Sequence, residues 1–165
     1  MSIALAESVA NQGQGFISSM AFGNGGTSVD PTGIITYLTP NSTGTNASLY
    51  NQTFTKIVDD RSVSNLDPQR NKIETRHVNG TNYTDVVVTC LLDYGEPNGQ
   101  DATDTASASD SLYVFDDLGL VSYASSGTGK LLTHVIFHPV QKSLNRLIQI
   151  DYTVRVQSLT GFNEG

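Results

Sequence analysis

Residues 130–157 read KLLTHVIFHPVQKSLNRLIQIDYTVRVQ. In the second half Ile148, Ile150, Tyr152, Val154 and Val156 alternate with Gln149, Asp151, Thr153, Arg155 and Gln157. A period of two marks a half-buried strand. In the first half Leu131 to His138 is apolar on both alternating sets, the pattern of a strand covered on two faces. Pro139 has no N–H to give a ladder, so pairing is expected to stop there. The polar residues Lys142, Ser143 and Asn145 then let the chain return. The stretch predicts a long antiparallel pair, Leu131–His138 against Ile148–Gln157, joined by a short connection.

Working outward, further strands are expected. Phe16 to Phe22 alternates, and Tyr83 to Leu92, a short edge strand at Ile73 to Val78 and Leu112–Phe115 read as strands. Thr53 to Val58 reads as a strand although the spacing over Leu49 to Val58 fits neither period well, and Ile34–Leu38 is a short apolar segment before Pro40. Between them stand turn signals. Gly23-Asn24-Gly25-Gly26 and Asn79-Gly80 supply residues that tolerate positive φ, and Asp30-Pro31-Thr32-Gly33 is a further turn. Asp116-Asp117-Leu118-Gly119-Leu120 reads as a turn, residues 59–71 as a polar loop and 95–110 as the most polar surface loop. Ser2 before Ile3, Leu5, Ala6, Val9 and Ala10 predicts a short N-terminal helix over residues 2–11. The fold class expected is therefore α+β, mainly antiparallel β and sandwich-like, with one short N-terminal helix, in a single domain over residues 1–165.

Composition excludes several function classes. The chain has 165 residues, a net charge of −7 and only 15% charged residues, without the Lys/Arg cluster that nucleic-acid binding needs. No apolar run reaches the ~18–20 residues of a membrane helix, and no charged segment precedes an apolar core at the N-terminus, so neither a membrane span nor a secretory leader is expected. One cysteine, Cys90, excludes an internal disulfide, and its apolar neighbours Val86, Val88 and Leu92 predict a buried free thiol. Asn-x-Ser/Thr triplets begin at Asn41, Asn46, Asn51, Asn79 and Asn82. Without a leader they read as loop chemistry rather than glycan acceptors.

Candidate chemistry is sparse. Ser126-Gly127-Thr128-Gly129-Lys130 fails as a phosphate loop, because Ala124 stands where its first Gly belongs and Leu131 follows the Lys. His134 and His138 lie on one face of an expected strand, but four extended residues span roughly 13 Å, too far for one zinc ion. A metallohydrolase using them with His77 is the enzymatic alternative. Asp101, Asp104 and Asp110, with Glu96 and Asn98, lack the order of a calcium loop. Asp116 and Asp117 are adjacent, so as strand residues they would point to opposite faces and form no acid/base pair. No nucleophile elbow is present. The expectation is no enzyme, no cofactor and no metal.

The order of motifs carries a resemblance. A short N-terminal helix, MAFGNGG (Met20–Gly26), the Asp30-Pro31 turn, LYNQTFTKIV (Leu49–Val58), a VVVTCLL strand, FDDLGLV (Phe115–Val121), Gly129-Lys130-Leu131-Leu132, and Pro139 with Lys142 follow one another. This order resembles the N-terminal attachment domain of contractile-bacteriophage tail-collar fibre proteins. Asp117 and Leu118 stand where that family usually has Glu and Ile, and no fibre shaft follows within the 165 residues. The resemblance implies a non-enzymatic virion structural protein of the tail, baseplate or collar. It would be an adaptor anchoring fibres or neighbouring subunits, assembled in the host bacterial cytoplasm, with other virion proteins as partners and a homo-oligomeric state. A capsid or neck decoration protein is the alternative. The positions it marks as interface or motif residues are Gly23, Asn24, Gly25, Gly26, Pro31, Asp117, Leu118, Gly119, Pro139 and Lys142.

Overall fold

A computed structural model describes residues 15–41, 47–98, 113–126 and 129–157. All regular structure in them is β: β1 (Ile17–Gly23), β2 (Thr27–Val29), β3 (Ile35–Tyr37), β4 (Gln52–Ile57), β5 (Lys72–His77), β6 (Tyr83–Leu92), β7 (Tyr113–Ser122), β8 (Val135–Lys142) and β9 (Ile148–Gln157). The helix expected over residues 2–11 lies outside the described residues. Every pairing is antiparallel. One sheet runs β4-β1-β7-β8, a second β5-β6-β9, and β2 and β3 form a separate hairpin.

Alternation explains which face of each strand is covered. Met20 and Phe22 of β1, Phe115, Leu118 and Leu120 of β7, and Val88, Cys90 and Leu92 of β6 belong to one core cluster, so side chains from both larger sheets meet there. Ile148, Ile150, Tyr152 and Val154 of β9 pack against it, on the face their sequence pattern predicts. Ring pairs knit the centre, with Phe22 edge-on to Phe115 at 5.2 Å and Phe115 edge-on to Phe137 at 5.7 Å. A second, smaller cluster of Ala21, Leu49 and Val121, with Leu131 against it, covers another part of the β1–β7 pair.

Two expectations are corrected. The first concerns residues 130–157. β8 and β9 do not pair with each other: β8 pairs with β7 and β9 with β6, and residues 143–147 carry the chain from one sheet to the other. Alternation identifies a strand and its faces, but not its neighbour. β8 also continues through Pro139, where pairing was expected to end. The ladder with β7 is irregular there, matching Phe115 to Val140 and then Asp117 to Ile136, and β8 is an edge strand. A residue without an N–H is tolerated at such a bulge.

The second correction concerns Asp116 to Leu120, expected as a turn. These residues lie inside β7, a strand buried along nearly its whole length. Adjacent acids and a glycine are common in surface turns; here each carboxylate accepts hydrogen bonds from donors in other segments. Gly119 is required by a close approach, since a Cβ there would lie 2.2 Å from the Thr133 carbonyl oxygen. The turn over Asp30–Gly33 forms as expected: Gly33 has φ +88°, and Asp30 Oδ1 accepts from the N–H groups of Thr32 and Ile34 and from the Thr32 hydroxyl. The Thr32 hydroxyl bond, with the backbone donors behind it, holds the Asp30 carboxyl below its ordinary range.

Candidate functional site

The structure brings two of the sequence motifs together. β1 leads into Gly23-Asn24-Gly25-Gly26, and this segment lies against Asp116 and Asp117 of β7. Asp116 Oδ1 accepts the Gly26 N–H at 2.8 Å, while Oδ2 accepts the Thr27 N–H at 2.9 Å and the Thr27 hydroxyl at 2.6 Å. Charge-assisted bonds of this kind are about twice as strong as neutral ones. Asp116 thus fixes the base of the β2–β3 hairpin, and the Leu38 N–H returns to the Gly26 carbonyl at 2.9 Å. The Tyr50 hydroxyl donates to the Thr39 carbonyl and ties down the far side of the hairpin.

Asp117 does different work. Its Oδ2 accepts the Tyr50 N–H at 3.1 Å and His134 Nε2 at 2.9 Å, and His134 Nδ1 accepts the Asn41 N–H at 2.8 Å. A backbone N–H can only donate, so Nδ1 carries no proton and the ring proton sits on Nε2, directed at Asp117. Segments around residues 41, 50, 117 and 134 are thereby cross-linked about a carboxylate and an imidazole whose side chains are closed to solvent. Gly23 fits beside this carboxylate because it has no side chain: a Cβ there would lie 2.4 Å from Asp117 Oδ1 and 2.8 Å from the Asn51 carbonyl oxygen.

The remaining marked positions are scattered. Leu118 is in the core and Gly119 faces the Thr133 carbonyl. Pro31 is exposed in the hairpin turn and Pro139 lies in β8. Lys142 is fully buried where β8 hands over to β9, its Nζ donating to the Ser143 carbonyl at 3.0 Å and the Tyr94 carbonyl at 3.3 Å. Burial pushes the Lys142 ammonium below its ordinary range, with Asp93 and Glu96 opposing the shift. The three histidines are not gathered. His77 is exposed on β5 against Tyr83 O and Thr84 Oγ1, His138 is exposed on β8 of the other sheet, and His134 is committed to Asp117. Among the described residues no three His, Cys, Asp or Glu side chains are placed to hold a metal ion, and no helix is long and apolar enough to cross a membrane. Most of the acidic 95–110 segment lies outside the described residues.

The feature that sequence reading missed is in the loop between β4 and β5. Val63 and Leu66 are 99% and 96% exposed. Their backbone is pinned from below. Asp59 accepts the Arg61 N–H and guanidinium, and Asn65 Nδ2 donates to the Asp59 and Asn71 carbonyls. Asn71 Oδ1, buried, accepts the Leu91 N–H of β6 at 2.9 Å. The loop therefore presents two apolar side chains from a hydrogen-bonded frame. The β2–β3 hairpin does the same with Val29 and Ile34, 62% and 63% exposed, and with Tyr37. In the sequence the clue was two aliphatic residues set among Asp, Asn and Ser turn formers, a pattern that polarity averaging hides.

Comparison with protein-family models, with curated proteins and with solved structures finds no match.

Proposed function

We propose that this chain is a non-enzymatic structural protein of a contractile-bacteriophage virion, a sandwich-like β mount in the tail, baseplate or collar region that anchors fibres or neighbouring subunits. The observation that carries the reading is the pinned display of apolar side chains: Val63 and Leu66 on the β4–β5 loop, and Val29 and Ile34 on the β2–β3 hairpin. An apolar side chain held in water by a rigid frame loses little further entropy on docking, so its burial against a partner goes largely into affinity. The hairpin's frame is made by residues that carry the likeness to tail-collar attachment domains, since Gly23 to Gly26 rests on Asp116 and Asp117. Its partners on this reading are other virion proteins, and its place is the assembled particle.

The test is incorporation. Antibody labelling of purified particles in the electron microscope is expected to mark the tail, baseplate or collar, and Val63→Asp/Leu66→Asp is expected to fold as wild type yet fail to enter the particle. Labelling confined to the head or neck would transfer the protein to decoration. A protein never found in particles, or a double variant incorporated normally, overturns the reading.

A further inference from the structure

β9 is the outermost strand of its sheet. β6 pairs with one edge of it without a register break, from Tyr83↔Gln157 to Leu92↔Ile148, and among the described residues nothing pairs with the other edge. An open edge is a template for a further strand, and proteins usually blunt it with proline, a bulge, charge or shortness. The other outer strands carry such devices. β8 contains Pro139 and an irregular register, β4 is short with a bulge opposite Phe22 and Gly23, and β5 is short with Lys72, Glu74 and Arg76 along it. β9 is long, regular and free of proline, its two outward charges, Asp151 and Arg155, are of opposite sign, and its inner face remains partly open, with Val156 48% exposed.

The geometry points to β9 as a two-fold interface with a second copy of this chain, the two strands pairing antiparallel about an axis through Thr153. Directly opposed residues in an antiparallel pair share a face. A continuous sheet with both cores on the same side therefore needs an axis through a residue, since an axis between two residues would oppose core-facing and solvent-facing positions. An axis through Asp151 sets carboxylate against carboxylate, and one through Arg155 sets guanidinium against guanidinium. An axis through Tyr152 or Val154 leaves both charges opposite neutral residues. The axis through Thr153 opposes Asp151 to Arg155 of the second copy, and Arg155 to its Asp151, with Gln149 opposite Gln157. On the inner face it opposes Tyr152 to Val154 and Ile150 to the exposed Val156. Within one copy Arg155 is held toward β6, where Asp85 accepts its Nε at 2.8 Å and Nη2 at 3.0 Å and the guanidinium lies 3.7 Å from the Tyr83 ring centroid, so Asp151 of the second copy would be a further carboxylate for a guanidinium that already has one. Such an isologous contact is self-complementary, as closed two-fold symmetry demands. The inference rests on the β9 edge and not on the attachment reading.

Sedimentation of the full chain tests it. The wild type is expected to be a dimer, and Asp151→Arg, which turns both attractive cross-strand pairs into repulsive ones and leaves the Arg155–Asp85 pair in place, should weaken dimerisation by about tenfold or more. The triple variant Asp85→Arg/Asp151→Arg/Arg155→Asp, which exchanges the charges and keeps opposite signs at positions 85 and 155, should restore it. Thr153→Cys should form an intermolecular disulfide under mild oxidation, because directly opposed residues lie about 4.5–5.5 Å apart between Cα atoms, within disulfide reach. A monomeric wild type, or a dimer indifferent to Asp151→Arg and not cross-linked by Thr153→Cys, overturns the interface. A dimer that behaves as expected but never enters a particle keeps the interface and removes the attachment reading.

Discussion

Asp117 Oδ2 accepts a hydrogen bond from His134 Nε2 at 2.9 Å, and neither side chain is accessible to solvent. The same oxygen takes the Tyr50 N–H, while Asp117 Oδ1 is buried without a partner. A buried carboxylate holding two donors but leaving one oxygen unmatched is a costly arrangement. What it gains is position: it joins β7, the segment before β8, and the chain ahead of β4 at one point. On the proposed function this point lies between the frames that display Val29, Ile34 and Tyr37 and the core that must hold them still.

Removing the Asp117 side chain with Asp117→Ala strands the buried His134 donor and takes the acceptor from the part-buried Tyr50 N–H, and unfolding stability should fall by about 3 kcal/mol. Asp117→Asn keeps an acceptor for both donors and replaces the unpartnered Oδ1 by an amide, so its cost should be about 1 kcal/mol. Urea unfolding of both variants checks the order. If the two are equally destabilised, the acceptor role assigned to Oδ2 is wrong.

Gly119→Ala should be among the most damaging methyl additions in the chain. The new Cβ would meet the Thr133 carbonyl oxygen at 2.2 Å and Leu131 Cδ1 at 2.6 Å. The first of these is backbone and cannot rotate away. A loss of about 3 kcal/mol is expected, at the upper end of ordinary overpacking. Gly95→Ala is the matched control, since nothing lies within 4 Å of its Cβ position; it should change stability by less than about 0.5 kcal/mol.

The face assignment of β9 is tested by neighbouring residues. Ile150 packs against the core cluster opposite Cys90. Ile150→Asp places an unpaired carboxylate there and should cost about 3 kcal/mol or more, enough to unfold a marginal domain. Gln149→Lys, one residue away on the exposed face, should stay within about 0.5 kcal/mol of wild type. Thermal unfolding by circular dichroism reads both.

Those two residues also show how far the sequence is legible. The period of two placed Ile148 to Val154 on the core side and gave β6 its full span, because burial on one face writes itself into alternate positions. The Asp30–Gly33 and Asn79-Gly80 turns were legible because their residues have local chemistry, and Gly80 does adopt a φ of +88°. Strand partnership was not legible. Nothing in Leu131 to His138 says that β8 belongs beside β7, for that choice is made by long-range packing. Asp116 and Asp117 were misread for a related reason. Their donors, Gly26, Thr27, Tyr50 and His134, come from distant segments, so the local sequence shows only two acids and a glycine. The exposed pair Val63 and Leu66 was hidden in the opposite sense, since a polar average over residues 59–71 conceals what two single side chains do.

Cys90 provides a pH test with a defined sign. It is fully buried in the core cluster, and desolvation pushes its thiol up to about 12, with the Lys56 charge opposing and the Glu96 charge adding a little. A group whose folded value lies above its unfolded value stabilises the fold fully below the unfolded value, and that contribution is lost as pH rises through the folded one. The window therefore runs from about 9, where an unfolded thiol ionises, to about 12. Burial raises Tyr113 and Tyr152 in the same direction and lowers Lys142 in the opposite one, so the wild-type profile alone does not isolate the thiol. The difference between wild type and Cys90→Ala does. Below pH 9 that difference should be constant; above it, wild type should lose stability relative to the variant by up to about 1.4 kcal/mol per pH unit. At neutral pH a thiol reagent should leave the native protein unlabelled and react once per chain in denaturant. Rapid labelling of the native protein, or a wild-type-minus-variant difference that stays flat to about pH 11, would mean that Cys90 is not sealed between the sheets.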